Sequence, residues 1–268
     1  MNVRKLAACM LLGATFVMNA SAALAADTLK AIKDRGTIVV AIDFTHPPYG
    51  MLDTKAEQTG TDFDIAKLIA SDLGVKLQVL SVNGPNRIPF LLTNKADIVI
   101  ASFSITDDRK KVISFTRPYA TEPILILAPG KDSIKTPADL AGKSVAVARG
   151  NTADLDLTNV IKEKDVKDVQ IVRYLDEATA RTAVSSGQQS IFAASLADAI
   201  AVKQASPNQH FELQFRMSED PLGIGLRQDD PQLLAWLNDW VGKNLKNGKL
   251  NDIYIKYFGV PLSKTVMN

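Results

Sequence analysis

The chain has 268 residues, 46% of them hydrophobic, with 31 lysines and arginines against 29 acids. That length and apolar content can bury one large core or two modest ones and exclude a disordered or fibrous chain. A formal net charge of +2 gives no basic excess of the kind that general nucleic-acid binding requires.

Arg4 and Lys5 form a basic start, Leu6 to Val17 are mostly apolar, and Ala23-Leu24-Ala25 supplies a small-x-small cleavage pattern. Residues 1–25 therefore read as a secretory signal peptide, with the mature chain beginning at Ala26 or Asp27. A membrane anchor is disfavoured because the apolar part is shorter than the roughly 20 residues of a span. Leu6-Ala7-Ala8-Cys9 resembles a lipoprotein cleavage box, yet almost no hydrophobic segment precedes Cys9. Removing the leader takes Arg4, Lys5 and Cys9, leaving 29 bases against 29 acids and no thiol. Disulfides, cysteine catalysis and thiolate metal sites are thereby excluded from the exported chain.

Gly36 to Ile42 is a β-branched run that opens at Asp43 into a Pro47-Pro48 turn, as expected for a strand leading into a loop. Thr61 or Asp62 can cap the next helix, whose apolar residues run at helical spacing to Gly74. A strand over Val75 to Val82, a helix over Asn86 to Asn94 and a buried strand over Ala96 to Phe103 follow. After Tyr119-Ala120-Thr121-Glu122-Pro123 the alternation begins again. Strands are expected at Ile124 to Leu127, Ser144 to Ala148, Val169 to Tyr174 and Ser190 to Ala194, with helices from Thr152 and from Asp176 to Ser185. Gly223 to Leu226 is one more strand, and Pro231 to Asn247 and Leu250 to Phe258 are closing helices. Short strands alternating with helices indicate an α/β architecture with largely parallel sheets, in two units of roughly 90 residues. Trp236 and Trp240 share a helix face with Leu233, Leu237 and Val241, which marks a core stripe.

Ligands of open α/β sheets sit outside the carboxyl ends of the strands. Ser102, Ser104 and Arg109 lie at such an end, and Thr106 with Asp107 and Asp108 has the composition of a helix N-terminus. Arg109 can fork onto a carboxylate there, or pair with Asp107 or Asp108 at the surface. Arg149-Gly150-Asn151-Thr152 is a second strand-to-helix turn whose backbone N–H groups can hold an anion, or form an ordinary turn. It lacks the ending of a nucleotide P-loop. Asp43, Phe44, His46 and Tyr49 cluster where the first strand opens and can line one pocket. Neither His46 nor His210 has partners at metal-ligand spacing, and no G-x-S-x-G elbow occurs, so no metal, cofactor or serine triad is expected.

Together, Gly60-Thr61-Asp62-Phe63-Asp64-Ile65, Arg87-Ile88-Pro89, Lys95-Ala96-Asp97-Ile98, Ser104-Ile105-Thr106-Asp107-Asp108-Arg109 and Phe115-Thr116-Arg117-Pro118-Tyr119 resemble the extracellular solute-binding proteins of polar amino-acid ABC importers. The resemblance runs from about Thr28 to Phe258. It implies a type II periplasmic binding protein fold of two α/β lobes joined by two crossover strands. Lobe 1 would be residues 27–119 plus 223–268 and lobe 2 residues 123–217, with crossings near 119–123 and 218–222. It also implies a periplasmic monomer that binds a small molecule and meets an inner-membrane permease. In such proteins the arginine matching Arg109 clamps the ligand α-carboxylate, helped by positions matching Ser104, Ser102 and Thr152.

The resemblance has one departure. The family usually places an ammonium-binding aspartate at the strand that here ends Ala193-Ala194-Ser195. Ala194 falls at that position with Ser195 next, so Asp43 or Asp198 substitutes, or the ligand lacks a free ammonium. Arg87 resembles the arginine of acidic-amino-acid binders and Asp43 the acid of glutamine and basic-amino-acid binders. A glutamine-like or acidic amino acid is the resulting expectation. The alternatives are an enzyme of the cyclohexadienyl dehydratase type on the same scaffold, which needs a positioned acid, and a sensor domain.

Overall fold

A computed structural model describes residues 27–267; the expected leader, Cys9 included, lies outside the described residues. In chain order the regular elements begin with α1 (Thr28–Arg35), β1 (Thr37–Ile42), a small hairpin of β2 (Met51–Leu52) and β3 (Gln58–Thr59), α2 (Thr61–Leu73) and β4 (Lys76–Ser81). They continue with α3 (Arg87–Leu92), β5 (Ile98–Val99), α4 (Asp107–Lys110), β6 (Ser114–Phe115) and β7 (Ala120–Pro129). The next series is β8 (Ser144–Ala148), α5 (Thr152–Glu163), β9 (Gln170–Tyr174), α6 (Glu177–Ser185), β10 (Phe192–Ser195) and α7 (Leu196–Ala205). The chain closes with β11 (Phe211–Leu222), β12 (Gly225–Leu226), α8 (Pro231–Lys246), α9 (Lys249–Phe258) and α10 (Lys264–Met267).

Two five-stranded sheets organise these elements, one in the order β4-β1-β5-β12-β6 and the other in the order β11-β7-β10-β8-β9. In the first, β1 runs parallel to β4 and β5, so the β1 and β5 carboxyl ends open on the same side. In the second, β8 is parallel to β9 and β10, while β7 pairs antiparallel with β10 and β11. The long strands β7 and β11 enter the second sheet from the first, where a bridge joins Ser104 to Leu222 beside the pair Ala120 and Leu222. Each sheet has its own apolar core, one built around Ile38, Val40, Ile69 and Leu237, the other around Ile126, Val145, Leu157 and Ala193. Trp240 is buried in the first core and its indole N–H donates to Asp72 at 2.7 Å. No helix among the described residues is long and apolar enough to cross a membrane.

Several local expectations are corrected. The residue capping α2 is Gly60, at φ +122°, with no side-chain cap; a Cβ there would lie 2.3 Å from the Tyr49 carbonyl oxygen. Asp62 is consequently turned inward, away from the capping role. The expected helix over 86–94 is instead a 3-10 turn at Gly84–Asn86, with Pro85 at its centre, followed by α3, and Asn94 leaves the region at φ +55°. The expected strand over 96–103 keeps ladder pairing only at Ile98–Val99, because Ser102 turns the chain at φ +41° and gives its N–H to Asp62. Helices α1, α7 and α10 and most of β11 have no counterpart in the sequence reading; α7 is a run of alanine and aliphatic residues without a clear polar face.

Candidate functional site

The site grows from the end of β5. Thr106 caps α4 by accepting the Arg109 N–H at 3.3 Å, and the caps and charges of this single turn separate its side chains. Asp107 and Asp108 pair outward with Lys110 and Lys111, while Arg109 is 5% exposed and points inward. The surface pairing that the sequence left open for Arg109 is therefore not the one formed. Its guanidinium donates to the Ser104 carbonyl at 2.8 Å, to Thr152 Oγ1 at 3.3 Å and to the Gly150 carbonyl at 3.3 Å. Thr152 in turn donates to Ser104 Oγ at 2.6 Å. All these acceptors are neutral. Burial, then repulsion from Arg87, pulls the Arg109 pKa down to about 9, which is the signature of a cation short of an anionic partner.

Phe103 holds the two arginines. The Arg109 guanidinium lies 4.9 Å and that of Arg87 5.7 Å from its ring centroid, within cation-π range. Gly225 makes room for this ring, since a Cβ there would meet it at 2.9 Å.

Arg87 begins α3 and faces two carboxylates, Asp43 at 3.2 Å and Glu177 at 3.7 Å, all of them buried. Asp43 also accepts from the Thr45 N–H and hydroxyl at 2.9 and 2.7 Å. Burial and then the neighbouring Glu177 raise the Asp43 pKa, against the pull of Arg87. Glu177 is the first residue of α6, whose cap is Asp176; it accepts from Asn151 Nδ2 at 3.4 Å and lies 3.3 Å from Thr45 Oγ1, whose proton goes to Asp43.

His46 spans the two lobes. Its Nδ1 is 2.8 Å from Ser102 Oγ and its Nε2 is 3.0 Å from Ser195 Oγ, 3.3 Å from Asp198 Oδ2 and 3.5 Å from Glu122 Oε1. Burial alone would lower its pKa, but Asp198, Glu122, Glu177 and Asp43 outweigh that and raise it. Asp198 also holds Arg181 at 2.5 Å. Glu122, on β7, is 4% exposed and its Oε1 has no hydrogen-bond partner. Burial pushes its carboxyl up to about 7, partly countered by His46.

These groups meet around a narrow, nearly filled cavity. His46, Arg87 and Ser102 line it from one lobe, Glu122 from the crossing strand, and Asn151, Thr152, Glu177 and Ser195 from the other. Asn151 doubles as the cap of α5, accepting the Asp154 N–H at 2.9 Å, so the N-terminus of that helix faces the cavity. Asp62 fixes the far wall, accepting the Ser102 N–H at 2.7 Å and the Tyr119 hydroxyl at 3.0 Å, and burial raises it to about 6. Among the described residues no group of three or more His, Cys, Asp or Glu is placed to hold a metal.

Six of the twelve residues singled out in the sequence, His46, Arg87, Ser102, Asn151, Thr152 and Ser195, line this cavity. Arg109 borders a neighbouring cleft with Phe103, Ile88 and Gly150, and Asp43 and Ser104 stand behind the lining through Arg87 and Thr152. Phe44, Tyr49 and Ala194 do not line it either. Phe44 packs edge-on against Phe63, and Tyr49 lies behind His46 against Phe258. Ala194 lies in the second lobe's core with Ala180, Ala199 and Val202, on the strand face opposite Ser195. The residues that the sequence reading did not place in the site are Glu122, Glu177 and Phe103. Glu122 was visible only as part of a crossing, and Glu177 as the acidic first turn of a helix.

Residues 38–260 match the family described as bacterial extracellular solute-binding proteins, family 3. The L-cystine-binding protein of Escherichia coli (strain K12) is 28% identical over 239 residues, covering 88% of each chain. The ABC transporter glutamine-binding protein of Bacillus subtilis (strain 168) is 30% identical over 237 residues, 86% of this chain and 84% of the relative. Among solved structures, an ancestral amino acid-binding protein described as a precursor of cyclohexadienyl dehydratase aligns with a TM-score of 0.74 and 32% identity, covering 87% of this chain and 100% of that one.

Proposed function

The chain belongs to the bacterial extracellular solute-binding proteins, family 3, and we propose that it captures a polar α-amino acid between its lobes in the periplasm and delivers it to an inner-membrane ABC permease. The observation that carries this reading is Arg109, a buried guanidinium with only neutral acceptors, drawn from both lobes. A ligand carboxylate supplies the charge it lacks and is held only when the lobes are together, so binding favours the closed form. The division into residues 27–119 plus 223–268 and residues 123–217 follows from the same reading, as does a monomeric state.

The charges around the cavity bear on the ligand class. Arg87, Arg109, Arg181 and His46 face Asp43, Glu122, Glu177 and Asp198. A near balance of this kind suits a zwitterion without net charge, since any unmatched charge is costly to bury. Of the glutamine-like and acidic ligands, the first fits better, because Asp43 and Glu177 already occupy Arg87. The glutamine-binding relative supports the same choice.

The test is a thermal-shift screen of the purified protein against the proteinogenic amino acids and cystine, since a ligand of the native state raises the melting temperature. One polar amino acid is expected to shift it, and Arg109→Ala is expected to weaken that ligand by about 2 to 5 kcal/mol. Binding unchanged in that variant removes the arginine from the site. A second reading, an enzyme of the cyclohexadienyl dehydratase type, draws on the precursor structure and on Glu122, whose pKa of about 7 suits a general acid. Turnover of prephenate or arogenate would establish it; the receptor reading expects none.

A further inference from the structure

The cavity has five buried carboxyl groups at or near its wall, and four are already engaged. Asp43 accepts from Thr45 and Arg87, and Asp62 from the Ser102 N–H and the Tyr119 hydroxyl. Asp198 accepts from Arg181, Ser195 and its own helix's cap geometry leaves it beside His46. Glu177 accepts from Asn151 at 3.4 Å and faces Arg87 at 3.7 Å, while the Thr45 hydroxyl, whose one proton goes to Asp43, lies 3.3 Å from its other oxygen. The fifth, Glu122, lines the cavity with Oε1 unpartnered: His46 Nε2 lies 3.5 Å away and nearer to Ser195 and Asp198, and the Tyr49 hydroxyl faces the carboxyl as a neutral donor. A buried carboxylate oxygen without a donor is as incomplete as the buried guanidinium of Arg109.

Resting on the receptor reading above, we propose that Glu122 seats the ligand ammonium, so that this chain recognises the amino group from the strand joining its lobes and not from the lobe 2 strand carrying Ala194. The placement gives the crossing strand β7 a part in recognition. It also removes the need for a ligand without an amino group, which the departure at Ala194 had left open. Ser195 and Asp198 are then positioning residues that draw His46 Nε2 to themselves and leave Glu122 Oε1 to the ammonium.

The experiment compares the strongest binder among the proteinogenic amino acids and cystine with its α-hydroxy acid, by calorimetry, on the wild type, Glu122→Gln and Glu177→Gln. The wild type is expected to prefer the amino acid by about 100-fold or more. Glu122→Gln is expected to lose most of that preference, weakening the amino acid by about 30-fold or more while changing the hydroxy acid by less than about threefold. Glu177→Gln is expected to keep the preference. An unchanged preference in Glu122→Gln, or its loss in Glu177→Gln instead, overturns the assignment while leaving the receptor reading standing. A wild type that binds no amino acid overturns both. Melting temperatures of the variants at pH 5.5, where the Glu122 carboxyl is largely neutral, check that each is folded.

Discussion

Glu122 ties the chemistry of one residue to the stability of the whole protein. Its pKa rises from 4.5 to about 7 and that of Asp62 from 3.8 to about 6, in both cases chiefly through burial. Each native group therefore holds its proton more tightly than the unfolded chain does. The resulting stabilisation is complete below the unfolded pKa and is lost as pH rises through the folded one. His46, also raised, acts in the same direction. The groups facing Glu122 are His46 and Tyr49 from the loop after β1, Asp198 from α7 and Glu177 from α6. Between pH 5 and 8 the ligand-free protein is expected to lose melting temperature, with Glu122 contributing on the order of 3 kcal/mol. Glu122→Gln should flatten that slope, and a bound amino acid should raise the melting temperature more at pH 8 than at pH 5.5; equal slopes in the two proteins would contradict it. This residue was not legible in the sequence. Arg109, Ser104 and Thr152 were, because a strand end followed by a capped turn announces itself over a few positions. Glu122 and Glu177 each sit in a context that explains an acid without a ligand, and only the fold brings them together across more than 50 residues of chain.

At the scale of elements, the cleft closes through two turns. The Gly84 turn ahead of α3 rests on the turn between β8 and α5, where a Cβ on Gly84 would lie 2.6 Å from the Arg149 carbonyl oxygen and 3.3 Å from the Asn151 nitrogen. Both obstacles are backbone and cannot rotate away. Gly84→Ala is expected to weaken ligand binding about tenfold or more by holding the lobes apart. The same change should leave the melting temperature of the ligand-free protein nearly unaltered. Calorimetry showing full affinity would mean that the two turns do not meet in the bound state. The α/β alternation and most strand positions were readable from apolar runs and glycine stops. The two crossing strands were read too short, since β7 and β11 owe their length to each other, and mutual pairing leaves no periodic mark in polar, exposed β11.

For the whole molecule, each lobe pairs part of its own charge, Arg87 with Asp43 and Arg181 with Asp198, and the rest meets across a shared interior. Arg109 reaches Thr152 and Gly150, Arg87 reaches Glu177, and His46 reaches Ser195 and Asp198. In the proposed complex a zwitterion bound among them completes Arg109 at one end and Glu122 at the other, as the last component of a closed state. The balanced charge of the sequence shows only that it has no basic excess, whereas the internal arrangement of charge depends on the closing of the lobes and could not be read along the chain.

The most direct measurement is a calorimetric titration of the wild-type protein with its best amino acid and with the α-carboxamide of that amino acid. The amide keeps the ammonium and the side chain and removes only the negative charge offered to Arg109. The account predicts that the amide binds weaker by about 100-fold or more. An amide that binds as tightly as the acid would contradict it, because Arg109 would then not be the receptor of a carboxylate.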